Sequence, residues 1–359
     1  MSQDQKLLPN RAPVFVVGCP RSGTSLLASV LESRFEFAVP IETHFVPFFS
    51  DWLWLWGNLE QPRNRALLLK AIYDFLDLLT PRMVRERDPV KVKAHSLLCT
   101  RPRFDEIVEE TNSFAEIVKR LFSDFAQTQN KHHWADKSAF SHPVPIEGIV
   151  AHFPDAKVIH VVRDARDVVL SWTNSWIAPA NLETAARLWA RHVRTKRQWG
   201  DKNPERYLEI RFEDLLLDTD GQIDRIGAFL NVTPAQGSDR RSDLALMMSE
   251  ADTHRKLAGE LDSSSVGQWR SKLPRADIEA IEALAGAELE ALGYNPGPSN
   301  RSIGIRGIRS YFGPLFSPIE YVRGSRPLIP PLIRAAQGVG LSLPAITNRG
   351  KGFKNWRQP

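Results

Sequence analysis

The chain has 359 residues, 42% of them hydrophobic, enough for a sizeable core in one large or two ordinary domains. Lys and Arg total 47 against 42 Asp and Glu, and so mild and dispersed a net charge of +5 suits anionic small molecules and argues against a nucleic-acid partner. Two cysteines make no disulfide framework, the polar start Met1 to Pro13 lacks the apolar core of a signal peptide, and no run approaches the roughly 20 apolar residues of a membrane span, so the expected compartment is the cytoplasm.

Val14 to Val17 is apolar without alternation, the pattern of a strand buried on both faces of a parallel sheet. Gly18-Cys19-Pro20-Arg21-Ser22-Gly23-Thr24-Ser25 follows, and Leu26 to Leu31 then reads as helix. Strand, glycine-bounded loop and helix together present backbone N–H groups and a helix N-terminus to a phosphate. The spacing of Gly18 and Gly23 fits a Walker loop, but the next two positions do not. A triphosphatase needs Lys then Ser or Thr there, the Lys reaching the β- and γ-phosphates. This chain has Thr24 and Ser25, and its cation, Arg21, lies inside the loop. The substrate is therefore expected to be a phosphorylated nucleotide other than ATP or GTP.

Further along, Phe37 to Pro40 reads as a second short strand, and 45–59 is dense in Trp and Phe. Helical periodicity covers 63–80 and 103–128. His133 to Asp136 reads as strand, Val144 to Phe153 as helix, and Lys157 to Val162 as a further buried strand. Helices are expected over Asp164 to Trp176, Leu182 to Trp199, Ile223 to Leu230 and Pro274 to Leu292, with a strand over Tyr207 to Phe212. Strands alternating with helices define an α/β fold with a parallel sheet. From Gly293 onward Pro and Gly become frequent, and arginines mix with aromatics such as Tyr311, Phe312 and Tyr321. That arm can pack on its own domain or on a second subunit of a homodimer, form a basic-aromatic surface for peripheral membrane or acceptor contact, or be disordered.

Lys157 to Trp172 is the second informative segment. It puts Arg163 at the end of a buried strand and Ser171 eight residues later, about two helical turns on. Arg as a fork of donors and Ser as a hydroxyl can converge on one anion. Taken alone, Arg-Asp after a strand is equally the mark of a salt bridge.

Taken together, the two segments resemble the sulfotransferases that use 3′-phosphoadenosine 5′-phosphosulfate (PAPS). Pro20, Arg21, Ser22, Gly23, Thr24, Ser25 and Leu26 look like that family's loop for the 5′-phosphosulfate, and Arg163 with Ser171 like its 3′-phosphate motif. Arg21 stands where the cytosolic phenol and steroid enzymes carry Lys, which brings the chain closer to the tyrosylprotein and bacterial branch. The resemblance implies a three-layer α/β/α sulfotransferase domain over 13–292, with a helical insertion of about 44–128 on the acceptor side and the arm over 293–359. It also resolves the missing lysine, since PAPS has two separated anionic ends but no γ-phosphate.

Sulfuryl transfer needs a base for the acceptor proton, cations for charge on the leaving phosphate, and an acceptor held in line. The resemblance implies Glu42, in Pro40-Ile41-Glu42-Thr43-His44, as the base, with His44 as its nearest rival. A helix-capping carboxylate is the plain alternative for Glu42. His95 lies at the wrong distance from both motifs. Arg21 and Lys137, the latter in Trp134-Ala135-Asp136-Lys137-Ser138, are the implied cations; an exposed Lys paired with Asp136 is the alternative. Ser265, Gly267 and Trp269 are candidate contacts of a closing segment, although Ser263-Ser264-Ser265 replaces the Arg-Lys-Gly of the cytosolic branch. No metal is demanded and no convincing metal-ligand cluster is seen. The expected acceptor is a hydroxyl or amine of a small metabolite, with lipid, sugar and peptide tyrosine left open; the co-product is 3′,5′-phosphoadenosine. A loop-type nucleotide kinase, disfavoured by Thr24, and a non-catalytic nucleotide-binding protein of the same fold are the competing readings.

Overall fold

Five runs of the chain form strands: β1 Val14–Gly18, β2 Phe37–Ala38, β3 His133–Lys137, β4 Lys157–Val162 and β5 Tyr207–Arg211. They make one parallel sheet in the order β2-β3-β1-β4-β5. The computed structural model describes residues 12–40, 43–50, 52–83, 98, 101–139, 146–173, 181–235 and 265–297. Every residue of β1 is buried because helices cover both faces of the sheet.

Register sorts the side chains. Phe15 lies opposite Asp136 on one neighbour and Val158 on the other, and Val16 lies opposite Lys137 and Ile159. Because successive side chains alternate faces, Phe15, Asp136 and Val158 share one side while Val16, Lys137 and Ile159 share the other. On the first side, Phe15, Val17 and Val158 join Phe45, Phe49, Phe75, Phe122 and Trp199 in one core. On the second, Val14, Val16, Ile159 and Val161 pack against Leu27 and Leu31 of the helix Thr24–Arg34 and Ile223 and Ile226 of the helix Thr219–Leu230. A third cluster joins the helices Ala165–Thr173, Leu182–Gly200 and Arg275–Ala291 through Val168, Trp172, Trp189, Ala285 and Leu289.

The sheet order decides where the site lies. The chain leaves β1 for β2 and β3 on one side, then crosses to β4 and β5 on the other. The carboxyl ends of β1 and β4 thus flank the point where strand order reverses, which is where open α/β sheets bind ligands.

Some elements differ from the sequence reading. The single helix expected over 103–128 is two, Arg101–Glu110 and Phe114–Thr128. Ser113 ends the run: its backbone is extended and its hydroxyl accepts from the N–H of Glu116. Ser-x-x-Glu is a helix-start signature that periodicity alone overlooks. The aromatic stretch 45–59 resolves into a helix, Phe45–Ser50, and one 3₁₀ turn, Leu53–Trp56. The second strand stops at Ala38, the helix expected over 144–153 is the short Ile146–Val150, and Phe212 opens a helix to Leu217 instead of closing β5. The tail beyond 297 lies outside the described residues. Among the described residues no helix is long and apolar enough to cross a membrane.

Candidate active site

The loop after β1 is shaped by two glycines. A Cβ on Gly18 would lie 2.8 Å from the carbonyl oxygen of Val161, so only glycine lets β1 and β4 approach this closely at their ends. Gly23 has φ of 97°, and a Cβ there would come within 2.3 Å of the Phe212 ring. Arg21 also adopts a left-handed backbone, with φ of 71°, a conformation that costs a non-glycine residue about 1 kcal/mol or more. Between them Ser22 N–H donates to the carbonyl of Cys19 at 3.1 Å, closing the turn.

The helix Thr24–Arg34 begins with donors uncommitted. Among the described residues no side chain caps it, and its first turn holds no carboxylate. The first N–H groups of a helix have no partner within it, and its N-terminal end carries partial positive charge. Ser22 Oγ, fully buried beside this end, has no hydrogen-bond partner among the described residues. A buried polar atom left in that state is expected to meet a ligand or water.

The two motifs meet here. Arg21 Nε donates to Ser171 Oγ at 2.9 Å across 150 positions of sequence. Arg163 donates to the backbone carbonyl of Arg21 at 3.1 Å and to that of Ser265 at 2.7 Å. Its guanidinium sits 4.6 Å from the centre of the Phe212 ring, the ring that also fills the space beside Gly23. Arg163 Nε is buried and without a partner among the described residues, and burial pulls its pKa downward against the opposing fields of Asp167 and Glu213. A cation in this condition gains from an anion entering beside it.

Lys137 ends β3 on the same face as the loop helix. It is fully buried, and its Nζ donates to Ser25 Oγ at 3.3 Å. The exposed Lys-Asp pair considered from sequence is not formed, because neighbours in a strand point to opposite faces. Asp136 faces the other way, accepting from Thr43 Oγ1 at 2.9 Å and Ser138 Oγ at 3.1 Å, and burial raises its pKa. This bond fastens the segment after the second strand to the end of β3. His44 follows with φ of 54° and is half-buried. Glu42 lies outside the described residues, as do His95, Ser263 and Ser264.

Arg163 holds Ser265, and Gly267 and Trp269 are brought to the same region by a residue that sequence reading did not single out. Asp167 accepts from Gly267 N–H at 2.7 Å and from Trp269 N–H at 3.0 Å. Trp269 stacks over the Arg166 guanidinium, 3.8 Å from ring centre, and Arg166 is itself held by Asp164 and Glu282. The signal was present as the second Asp of Arg163-Asp164-Ala165-Arg166-Asp167, but its partners are 100 residues away and no local pattern reveals them.

The model of the sulfotransferase family matches residues 13–236, a span that holds the loop, Lys137, Arg163 and Ser171. The chain belongs to the sulfotransferase family. Mouse carbohydrate sulfotransferase 5 is 24% identical to this sulfotransferase over 347 residues, covering 80% of this chain and 82% of that protein. Among the solved structures similar to it are two sulfotransferase domains. One is the sulfotransferase domain of the Synechococcus olefin synthase, 24% identical, TM-score 0.49, covering 82% of this chain and 99% of that one. The other is the sulfotransferase domain of the curacin biosynthetic pathway, 19% identical, TM-score 0.49, covering 80% and 100%. The enzyme transfers a sulfuryl group.

Proposed function

We propose that the enzyme moves a sulfuryl group from PAPS to a hydroxyl or amine of a small-molecule acceptor, releasing 3′,5′-phosphoadenosine. One observation supports this most: the loop cation Arg21 and the helix hydroxyl Ser171, from motifs 150 residues apart, meet at 2.9 Å over an uncapped helix start. The unsatisfied donors suit a nucleotide with an anionic group at each of two separate ends. Ser22 Oγ and the first-turn N–H groups would hold the phosphosulfate end, and Arg163 and Ser171 the 3′-phosphate. Ser171 accepts from Arg21, which leaves its own O–H free to donate to a phosphate oxygen. When bound, PAPS supplies a sulfur activated by a phosphate leaving group.

The chain's own residues do the rest. Arg21 and Lys137 neutralise charge that grows on the leaving oxygen, and both are fixed in advance, Arg21 by Ser171 and Lys137 by burial and Ser25. Glu42 takes the acceptor proton; the Thr43–Asp136 bond steadies its neighbour. His44 is the alternative base. Arg163 and Asp167 hold the 265–269 segment near the nucleotide, with Gly267 and Trp269 as contacts.

A second acceptor class has support of its own: the mouse relative is named for sulfation of carbohydrate, so a sugar hydroxyl is the reading to test beside a small metabolite. The test is a thermal-shift titration with 3′,5′-phosphoadenosine, which raises the melting temperature if it binds the native state. Transfer of label from PAPS to metabolite and sugar panels, read by mass spectrometry, then assigns the acceptor. No shift at saturating nucleotide defeats the proposal.

A further inference from the structure

The peptide unit between Arg163 and Asp164 is pinned at both of its polar atoms. Its carbonyl, that of Arg163, accepts from the Trp189 indole N–H at 3.0 Å. Its N–H, that of Asp164, donates to Glu213 Oε1 at 3.0 Å. A peptide unit is planar, so pins on its two opposite edges fix its rotation and with it ψ of Arg163. Both pins are buried, Trp189 in the helix Leu182–Gly200 and Glu213 in the helix Phe212–Leu217.

The second oxygen of Glu213 is engaged as well. Oε2 accepts from the Tyr294 hydroxyl at 2.6 Å, and Tyr294 is buried just beyond the helix Arg275–Ala291. The Arg211 guanidinium lies 4.4 Å from the centre of the Tyr294 ring. The residues after Tyr294 are tied down too: Arg166 donates to the Asn295 carbonyl at 3.3 Å, and Gly297 N–H donates to Glu282 at 3.1 Å. A hydrogen-bonded line from Tyr294 through Glu213 to the Asp164 amide thus reaches the turn carrying Arg163 from outside the span 13–236 that matches the family.

The same bonds keep Arg163 available. Asp167, Glu213 and Asp164 all act on its charge, yet among the described residues none of them pairs with it. Asp164 is held by Arg166, Asp167 by the amides of Gly267 and Trp269, and Glu213 by Tyr294 and the Asp164 amide. The guanidinium rests instead on the ring of Phe212, the residue before Glu213. Phe212 therefore supports the side chain, while Glu213 fixes the backbone from which it grows. A fork of donors meets a phosphate well in one orientation only, and holding it there in advance lowers the cost of ordering it on binding.

We infer that Glu213, braced by Tyr294, is a positioning residue for Arg163 and thereby sets the enzyme's preference for a nucleotide that bears a 3′-phosphate. This rests on the reading of Arg163 as the 3′-phosphate contact. Two effects of Glu213 oppose each other: its negative field disfavours an entering phosphate, and its bond to the Asp164 amide holds the cation in place. The bond outweighs the field.

The test is calorimetry on the full chain with 3′,5′-phosphoadenosine and 5′-AMP, which differ only in the 3′-phosphate. The wild-type protein should bind the first about 10- to 100-fold more tightly, the range of one charge-assisted contact. Glu213→Leu, close in size but without an acceptor, should cut that ratio about fivefold or more while 5′-AMP affinity stays within about twofold. Glu213→Gln keeps an oxygen for the amide and loses the charge, so it should hold the ratio at or above the wild-type value. An unchanged ratio in Glu213→Leu, equal weakening of both nucleotides, or a ratio lost as fully in Glu213→Gln overturns the inference. Should Glu213→Leu fail to fold, Tyr294→Phe decides: it removes one hydroxyl from the brace and should cut the ratio about threefold, and an unchanged ratio there overturns the inference. A wild-type protein that binds both nucleotides alike defeats the reading of Arg163 and this inference with it. A wild-type preference that the variants retain defeats this inference alone.

Discussion

Arg21 and Ser171 are joined by a 2.9 Å hydrogen bond, and Arg163 closes the same corner by donating to the Arg21 carbonyl. The corner exists because β1 and β4 are neighbours, so the loop after each strand starts from adjacent points. Arg163→Ala is therefore expected to weaken 3′,5′-phosphoadenosine binding about 10- to 100-fold, the range of one lost charge-assisted contact, and Ser171→Ala by less. Isothermal titration reads both. Arg163→Ala also frees the carbonyls of Arg21 and Ser265, so Arg163→Lys is the control: it keeps the charge and loses the fork. Undiminished affinity in Arg163→Ala would remove this residue from the nucleotide site.

Glu42→Gln should leave nucleotide affinity intact and lower kcat about 10²- to 10⁴-fold, the usual contribution of a general base. Lys137→Met should also lower kcat, by about 10²- to 10³-fold, as the loss of one fixed cation at a developing charge. The two differ in the ground state. Lys137 is buried against the loop helix, and its loss is expected to weaken the nucleotide as well. Single-turnover rates with labelled PAPS separate chemistry from binding. Equal loss of binding and turnover in Glu42→Gln would assign the residue to the donor pocket instead.

Gly23→Ala is expected to destabilise the protein by about 2 kcal/mol or more, from a left-handed backbone and a steric clash acting together. The clash is with a packed ring: the new methyl would lie 2.3 Å from Phe212, which also packs against the Arg163 guanidinium. The variant should thus lose nucleotide affinity along with stability, as displacement of Phe212 moves Arg163. Chemical denaturation and nucleotide titration on the same sample give both numbers. A stable variant that binds normally would mean the loop relaxes without disturbing Arg163.

How legible this was from sequence depends on the range of the interaction. β1, β4 and the loop between β1 and its helix could be read because their signals are local: an unbroken apolar run and glycines at fixed spacing. Arg163 and Ser171 were legible as a pair for the same reason, both lying on one strand-to-helix unit. Asp167 was not, since the amides it accepts from belong to Gly267 and Trp269. Nor was the contrast between Asp136 and Lys137, adjacent in sequence but sent to opposite faces by the pleat once β3 sits beside β1. Lys196 reads as one more cation in a helix with Arg191, Arg194 and Arg197, and only the tertiary packing of that helix buries it. The break at Ser113 was legible in principle, because the Ser-x-x-Glu spacing is local, and periodicity masked it.

Stability should fall on mild acidification because of His160. The imidazole is buried in β4, its Nδ1 2.6 Å from the Tyr207 hydroxyl, and burial lowers its pKa from 6.5 to about 4, with Lys196 and Arg197 adding to the effect and Glu209 opposing it. In the unfolded chain the same ring takes up its proton near pH 6.5. Above that pH both states hold a neutral ring and nothing depends on it. Between about 6.5 and 4 the unfolded state binds the proton and the folded state does not, so acid favours unfolding. Below about 4 both are protonated and the loss levels off. The integrated loss is on the order of 3 kcal/mol. Denaturant midpoints for the wild-type protein and His160→Gln, measured in steps from pH 7.5 to 4, should converge by that order as the wild type loses its advantage. Parallel midpoints across the range would show that His160 takes its proton as readily in the fold as outside it.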